Sequence, residues 1–115
     1  MKSLLPIAAL LALSGSPTFA DCTVPDNRIQ IPDGSTATKE EMIAAQKAVQ
    51  AFDAAVKTYA DCLQEEQQQK LDAGGDKVKL QKHYAELNNT EVEKVQQLAD
   101  KFNTELKAYK AKSAG

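Results

Sequence analysis

Hydrophobic residues recur at alternating steps of three and four through the first half of the chain. The series occupies the a and d positions of an unbroken heptad repeat and comprises Met42, Ala45, Val49, Phe52, Val56, Tyr59 and Leu63. Such a seam is typical of an amphipathic helix that packs against another helix. Thr38, followed three residues later by Glu41, forms a capping-box pattern and indicates where the helix begins. The pattern therefore predicts a first helix over about 38–71.

The second half of the chain carries two hydrophobic series whose helical phases differ. These are Leu80, Tyr84 and Leu87, and then Val92, Val95, Ala99, Phe102, Leu106 and Tyr109. The phase slips at Asn88–Asn89–Thr90, where Thr90 and Glu93 repeat the capping-box pattern, so that one long helix either is kinked here or breaks and restarts. We expect a distorted but continuous helix over about 76–112.

The two predicted helices have similar lengths and a short connection. At 1.5 Å per residue, each would be roughly 50 to 55 Å long. The connection contains Gly74 and Gly75, which supply the backbone conformation that ends a helix, and Asp76, which can cap the next one. Because short connections join antiparallel neighbours, we predict an all-α fold, an antiparallel, coiled-coil-like helical hairpin over 38–112.

Residues 1–20 have the features of a secretory signal peptide. Lys2 precedes an apolar run at 4–13, and small residues suit cleavage near Ala20–Asp21. The run is too short for a bilayer-crossing helix, which needs about 20 residues. A lipid anchor on Cys22 is disfavoured because Asp21, not a small neutral residue, precedes it. We therefore expect a bacterial periplasmic or secreted protein without a membrane span.

Residues 21–37 are predicted to form an extended arm, because Pro25, Pro32 and Gly34 interrupt any helical period. The chain has two cysteines, which lie at Cys22 in this arm and Cys62 in the first helix. Two cysteines in an exported chain are more often paired than free. We predict a structural disulfide between them, with a redox role or an intermolecular bond as the alternatives.

The reach of the arm agrees with this pairing. Cys62 lies about 36 Å along the helix from Thr38, whereas sixteen extended residues span roughly 50 Å. Ala48, Ala55 and Cys62 form a column of small side chains beside the seam, along which an extended backbone can lie. The arm would then place Ile29 and Ile31 over the gap between the helices.

The chain offers few residues for catalysis or ligand binding. Its net charge of −2 lacks the basic footprint of a nucleic-acid-binding protein. His83 is the only histidine, no cysteine pair has metal-ligand spacing, and no nucleophile, base and orienting group come together in a motif. We therefore predict a non-enzymatic protein without catalytic, cofactor-binding or metal-binding residues.

Several motifs resemble those of a group of small exported bacterial helical proteins. They are Cys22, the segment 31–34 (Ile-Pro-Asp-Gly), the segments 38–42 and 45–49, Cys62–Leu63, and the segment 102–110. The resemblance covers most of the mature chain, and its motifs are a turn, a helix cap and parts of the helical seam. It implies an exported helical fold and no catalytic residues.

The expected role is an interaction or structural module of the cell envelope. If the arm covers one groove between the helices, the opposite groove remains available, with glutamine-rich and acidic borders, to a helical protein partner or to a second copy of the chain. One alternative is a periplasmic stress chaperone that holds unfolded proteins. A less favoured alternative is a carrier of a small ligand or lipid, which would need a cavity between the helices.

Overall fold

The computed structural model describes residues 22–114, and the predicted signal peptide with its cleavage position lies outside this range. The described chain forms two α-helices, α1 (Lys39–Asp72) and α2 (Lys77–Ser113), and contains no β-strand. The helices pack against each other as a hairpin, so the predicted fold class is confirmed. Neither helix has an apolar stretch that would span a bilayer.

Both helices begin at the residues that the sequence indicates. The Thr38 hydroxyl caps α1 by accepting a hydrogen bond from the backbone N–H of Glu41 at 3.1 Å. The Asp76 carboxylate caps α2 in the same way, accepting from the backbone N–H of Lys79 at 3.0 Å. Each cap satisfies one of the amide groups that a helix start leaves without a partner.

The end of α1 explains the pair of glycines in the connection. Gly74 has a φ of 92°, a conformation that favours glycine. Its N–H donates to the carbonyl of Leu71 at 3.0 Å, and the N–H of Gly75 donates to the carbonyl of Lys70 at 2.9 Å. These two bonds form a Schellman motif, which ends the helix and turns the chain toward α2.

The predicted seam of α1 faces α2. Its buried members are Met42, Ala45, Phe52, Val56, Tyr59 and Leu63. Four of them, Met42, Ala45, Tyr59 and Leu63, belong to two apolar clusters, one at each end of the hairpin. The cluster near the hairpin's open end contains Ala37, Met42, Ala45 and Phe102, and the one near the connection contains Tyr59, Leu63 and Tyr84.

Helix α2 is continuous through the segment where a kink or break was an alternative. The Thr90 hydroxyl donates to the carbonyl of Glu86 at 2.9 Å within the helix, so Thr90 is not a new N-cap. The prediction that Val92 belongs to the seam is wrong, since 37% of Val92 is exposed whereas only 3% of Glu91 is. Seven residues are close to two helical turns, so Glu91 stays on the face of Tyr84 and Val92 turns away from it.

The arm ends, just before α1, in a turn that docks on the last part of α2. The Asp33 carboxylate accepts hydrogen bonds from the N–H and hydroxyl of Ser35, and these bonds hold the pKa of Asp33 below its ordinary value. The N–H of Gly34 donates to the carboxylate of Glu105 at 3.3 Å. The Lys112 ammonium donates to the carbonyl of Ala37 at 2.7 Å. Two hydrogen bonds, one at Gly34 and one at Ala37, thus attach the turn to α2.

Gly34 lies directly against the backbone of α2. A Cβ atom added at this position would lie 1.8 Å from the carbonyl oxygen of Glu105, far inside van der Waals contact. Only glycine therefore allows the turn to approach the helix so closely.

The arm returns from this turn toward the middle of the hairpin. Ile31 packs against the apolar cluster that contains Met42 and Phe102, as its predicted place over the gap requires. At the far end Cys22 forms the predicted disulfide with Cys62, with the two Cα atoms 5.7 Å apart. The described part of the chain has no free cysteine.

Candidate interaction surface

The arm covers one of the two grooves that run between the helices, which we call the covered groove. Residues 28–32 face Ala44, Ala45 and Ala48 of α1 across a cavity of about 420 Å³, and residues 22–26 face Ala55 and Thr58 across one of about 630 Å³ near the disulfide. At the α2 border of this groove, Asn27 of the arm lies beside four mostly polar side chains of α2. These are Lys94, Gln97, Leu98 and Lys101. The α1 wall is thus built of small side chains, as the sequence indicates.

The helical register shows which side of the hairpin remains uncovered. On α1, the residues under the arm come one position before a seam residue, as Ala48 does before Val49. Ala60 and Gln64 instead come one position after Tyr59 and Leu63. One residue is a rotation of about 100°, so these side chains flank the seam on the side opposite the arm.

We call this second depression the open groove. Its volume is about 420 Å³, and it is lined by Ala60, Leu63, Gln64, Gln67, Gln81, Tyr84, Ala85 and Asn88. Four of these side chains are carboxamides, which agrees with the predicted glutamine-rich border. None of these eight lining residues is charged. No arm residue contributes to this lining.

A stripe of polar side chains on α2, which we call the polar stripe, runs from the open groove into the seam. It consists of Tyr84, Asn88 and Glu91 at helical spacings of four and three. The Tyr84 hydroxyl, Asn88 Oδ1 and Glu91 Oε2 are buried without a hydrogen-bond partner among the residues described. A buried polar atom without a partner costs about 1–3 kcal/mol of stability. The polar stripe therefore lowers the stability of the fold.

Glu91 places a buried carboxyl group in the centre of the seam. Its Oε1 accepts a hydrogen bond from the Lys94 ammonium at 2.9 Å, and Lys94 is partly exposed. Burial raises the pKa of the Tyr59 hydroxyl, and the carboxylates of Glu91 and Glu66 raise it further. The Tyr59 hydroxyl therefore holds its proton more tightly than that of an exposed tyrosine.

The remaining candidate residues are placed as follows. His83 is exposed on α2 and makes an edge contact with the Tyr84 ring, with 5.1 Å between ring centroids. Within 22–114, no three residues of the His, Cys, Asp and Glu types are grouped so as to hold a metal ion. Sequence reasoning missed Glu91 as a seam residue, although its separation of seven residues from Tyr84 indicates a shared face.

Comparisons with known proteins add no assignment to this geometry. No protein-family model, no curated protein and no solved structure matches the chain. We therefore infer a function from the surfaces described above.

Proposed function

We propose that this chain is an exported, non-enzymatic interaction module that receives a segment of a protein partner in its open groove. The observation that carries the proposal is the difference between the two grooves of one hairpin. The chain's own arm runs along the covered groove, whereas no described segment contributes to the lining of the open groove, which presents four carboxamides.

Export is supported by the Cys22–Cys62 disulfide, because disulfides persist in oxidising compartments. The leader at 1–20 has the n-region, apolar run and cleavage position that export requires. Mass spectrometry of the protein purified from cells should give a chain that begins at Asp21 with two fewer hydrogens than its reduced form. An uncut N-terminus or two free thiols would contradict export.

A photo-crosslinking amino acid placed in the groove tests the proposed interaction. We expect incorporation at Gln64 or at Gln81, in cells that make and export the protein, to give a discrete cross-linked product after illumination. Gln69 is the matched control, since it is a glutamine of α1 that is exposed and does not line the groove.

The pattern of products decides the result. Products from Gln64 and Gln81 that are missing from Gln69 support the proposal. The same products from all three positions, or none from the groove, contradict it. A doubled mass of this chain would identify the partner as a second copy.

The two alternative functions make separate predictions. The grooves bounded by residues 22–114 open to solvent, which favours an interaction module over a lipid carrier that encloses its ligand. For the holdase alternative, the relevant feature is the exposed large aliphatic side chains, which are spread along the chain. They are Val24, Ile43, Val78 and Val92. A general holdase would suppress light scattering by an unrelated aggregating protein, whereas we expect no suppression at equimolar ratio.

A further inference from the structure

The disulfide that tethers the arm lies beside a carboxylate. Glu66 follows Cys62 by four residues on α1, so the two side chains share one face of the helix. The arm brings Cys22 to the same place, and Cys22 Sγ lies 3.7 Å from Glu66 Oε2. Because a sulfur atom in a disulfide carries no proton, it cannot donate a hydrogen bond to this oxygen. The contact therefore places a carboxylate charge directly against the disulfide.

The groups around Glu66 leave part of this charge facing the disulfide. Its other oxygen, Oε1, lies 3.8 Å from the Lys70 ammonium, and 51% of the Lys70 side chain is exposed, against 20% of the Glu66 side chain. An exposed partner at this distance offsets the charge only in part, because water screens the pair. On its other side, Cys22 packs against the apolar cluster near the connection, where screening by water is weaker.

Burial alone does not protect the disulfide. Both of its cysteines are only half-buried. Beside them, a cavity of about 630 Å³ opens to solvent between residues 22–26 of the arm and α1. Asp26, which also lines this cavity, forms an ion pair with Arg28 at 3.0 Å. A small thiol that enters the cavity is within reach of the sulfur atoms, so the charge beside them affects how readily the thiol reacts.

Reduction of this bond brings a second negative charge next to Glu66 by either route. A thiolate attacks one sulfur, the S–S bond breaks, and the other sulfur leaves as a thiolate that takes up a proton. A second thiol then displaces the protein sulfur from the mixed disulfide, so that the protein gains two electrons and two protons and the two thiols become a disulfide. Attack at Cys22 brings the incoming thiolate toward Glu66, and attack at Cys62 leaves the departing thiolate on Cys22.

We propose that the Glu66 carboxylate protects the Cys22–Cys62 disulfide from exchange with thiols, and most strongly from thiols that carry further negative charge. Two negative charges about 4 Å apart repel each other even where water screens them. The protection keeps the arm tethered to α1 in the presence of free thiols. It requires no occupant of the open groove and is therefore independent of the proposed function.

Reduction rates of the oxidised mature chain test this proposal. The probes are three monothiols of different charge: cysteamine, which carries an ammonium group, uncharged 2-mercaptoethanol, and 3-mercaptopropionate, which carries a carboxylate. Glu66→Gln removes the charge at nearly constant shape, and Glu65→Gln, at an exposed neighbouring position, is the matched control. Quenching with acid, alkylation of free thiols and mass spectrometry measure the loss of the intact disulfide over time.

The expected result is an acceleration that depends on the charge of the thiol. We expect Glu66→Gln to react about tenfold faster than the parent with 3-mercaptopropionate, and the gain to shrink through 2-mercaptoethanol to cysteamine. Each variant is compared with the parent in the same reagent, so that the intrinsic reactivities of the thiols cancel. Glu65→Gln should stay within about twofold of the parent, and salt at about 1 M should narrow the gain of Glu66→Gln because it screens the carboxylate.

The series of thiols separates electrostatic protection from a structural role. If Glu66 only held the arm in place, Glu66→Gln would accelerate all three thiols equally, and that result would overturn the proposal. Unchanged rates in Glu66→Gln, or the same acceleration in Glu65→Gln, would overturn it as well. None of these results affects the cross-linking expected from Gln64 and Gln81, so the proposed function is tested separately.

Discussion

The two grooves of this hairpin are built from the same two helices, yet they differ in what fills them. In the covered groove, Ala44, Ala48 and Ala55 line cavities between α1 and an arm that a turn holds at one end and a disulfide at the other. In the open groove, Gln64 and Gln67 lie at the surface with no segment of the described chain over them.

The difference follows from the positions that flank the α1 seam. Apart from Glu41, the positions one residue before the seam carry small side chains, along which a backbone can run closely. Positions one residue after the seam are mostly longer and polar, and include Gln46, Lys57 and Gln64. A hairpin of two helices leaves a groove on each side. The arm of this chain runs along the side on which the α1 residues are small. On the other side, no segment of the described chain contributes to the groove lining.

Removing the disulfide should have the largest effect on the covered groove. The Cys22→Ser, Cys62→Ser double variant opens a loop with a sequence separation of 40 residues, and we expect a loss of about 4 kcal/mol in the free energy of unfolding. Urea denaturation under oxidising conditions measures it. The parent protein with reductant is the control and should match the variant. A loss below about 1 kcal/mol would mean that the arm adds little to stability.

Crowding the arm turn should have the next largest effect. Gly34→Ala places a methyl group against the Glu105 carbonyl, and we expect it to cost about 2–3 kcal/mol as the turn moves away from α2. The exposed neighbour Thr36→Ala serves as the control in the same denaturation experiment. Equal stability of the two variants would show that the turn does not depend on this approach.

Replacing the buried carboxylate of the seam should stabilise the protein. Glu91 has one oxygen without a partner, and Glu91→Leu exchanges it for an apolar side chain of similar size, with an expected gain of about 1–2 kcal/mol. Glu93→Leu, an exposed position two residues away, is the control and should give no gain. A destabilised Glu91→Leu would indicate that the polar stripe specifies how the helices pair.

The shifted pKa of Tyr59 predicts a small dependence of stability on alkaline pH. Because the folded state holds the proton more tightly than the unfolded state, stability is complete below the ordinary pKa of 10.0 and falls as the pH rises above it. Denaturation midpoints at a series of alkaline pH values should decrease in the parent protein. Tyr59→Phe should decrease less steeply, and identical slopes would contradict the assignment.

Substitutions in the open groove should have the smallest effect on stability. Gln64→Ala and Gln81→Ala remove side chains that no described residue covers, and each should change the free energy of unfolding by less than about 0.5 kcal/mol. Each variant should also weaken the cross-linking obtained from the other of these two groove positions. Large destabilisation would show that the open groove supports the fold instead of a partner.

Much of the fold follows from local patterns. The seam from Met42 to Leu63, the caps at Thr38 and Asp76, and the glycine pair each have a nearby physical cause that the sequence displays. The position of Val92 was predicted wrongly because a hydrophobicity pattern assigns the apolar neighbour to the seam. In the structure the continuous backbone of α2 fixes the phase, and Glu91 faces α1 whatever its polarity.

The amino-acid sequence by itself determined the two helices, their antiparallel pairing, the extended arm and the disulfide, because these depend on periodicity, caps and chain reach. Only the tertiary structure showed the contact of Gly34 with the α2 backbone, the burial of Glu91 and the uncharged lining of the open groove. These features arise where residues from distant parts of the chain meet. Their distances depend on how the helices and the arm pack together, which no local pattern specifies.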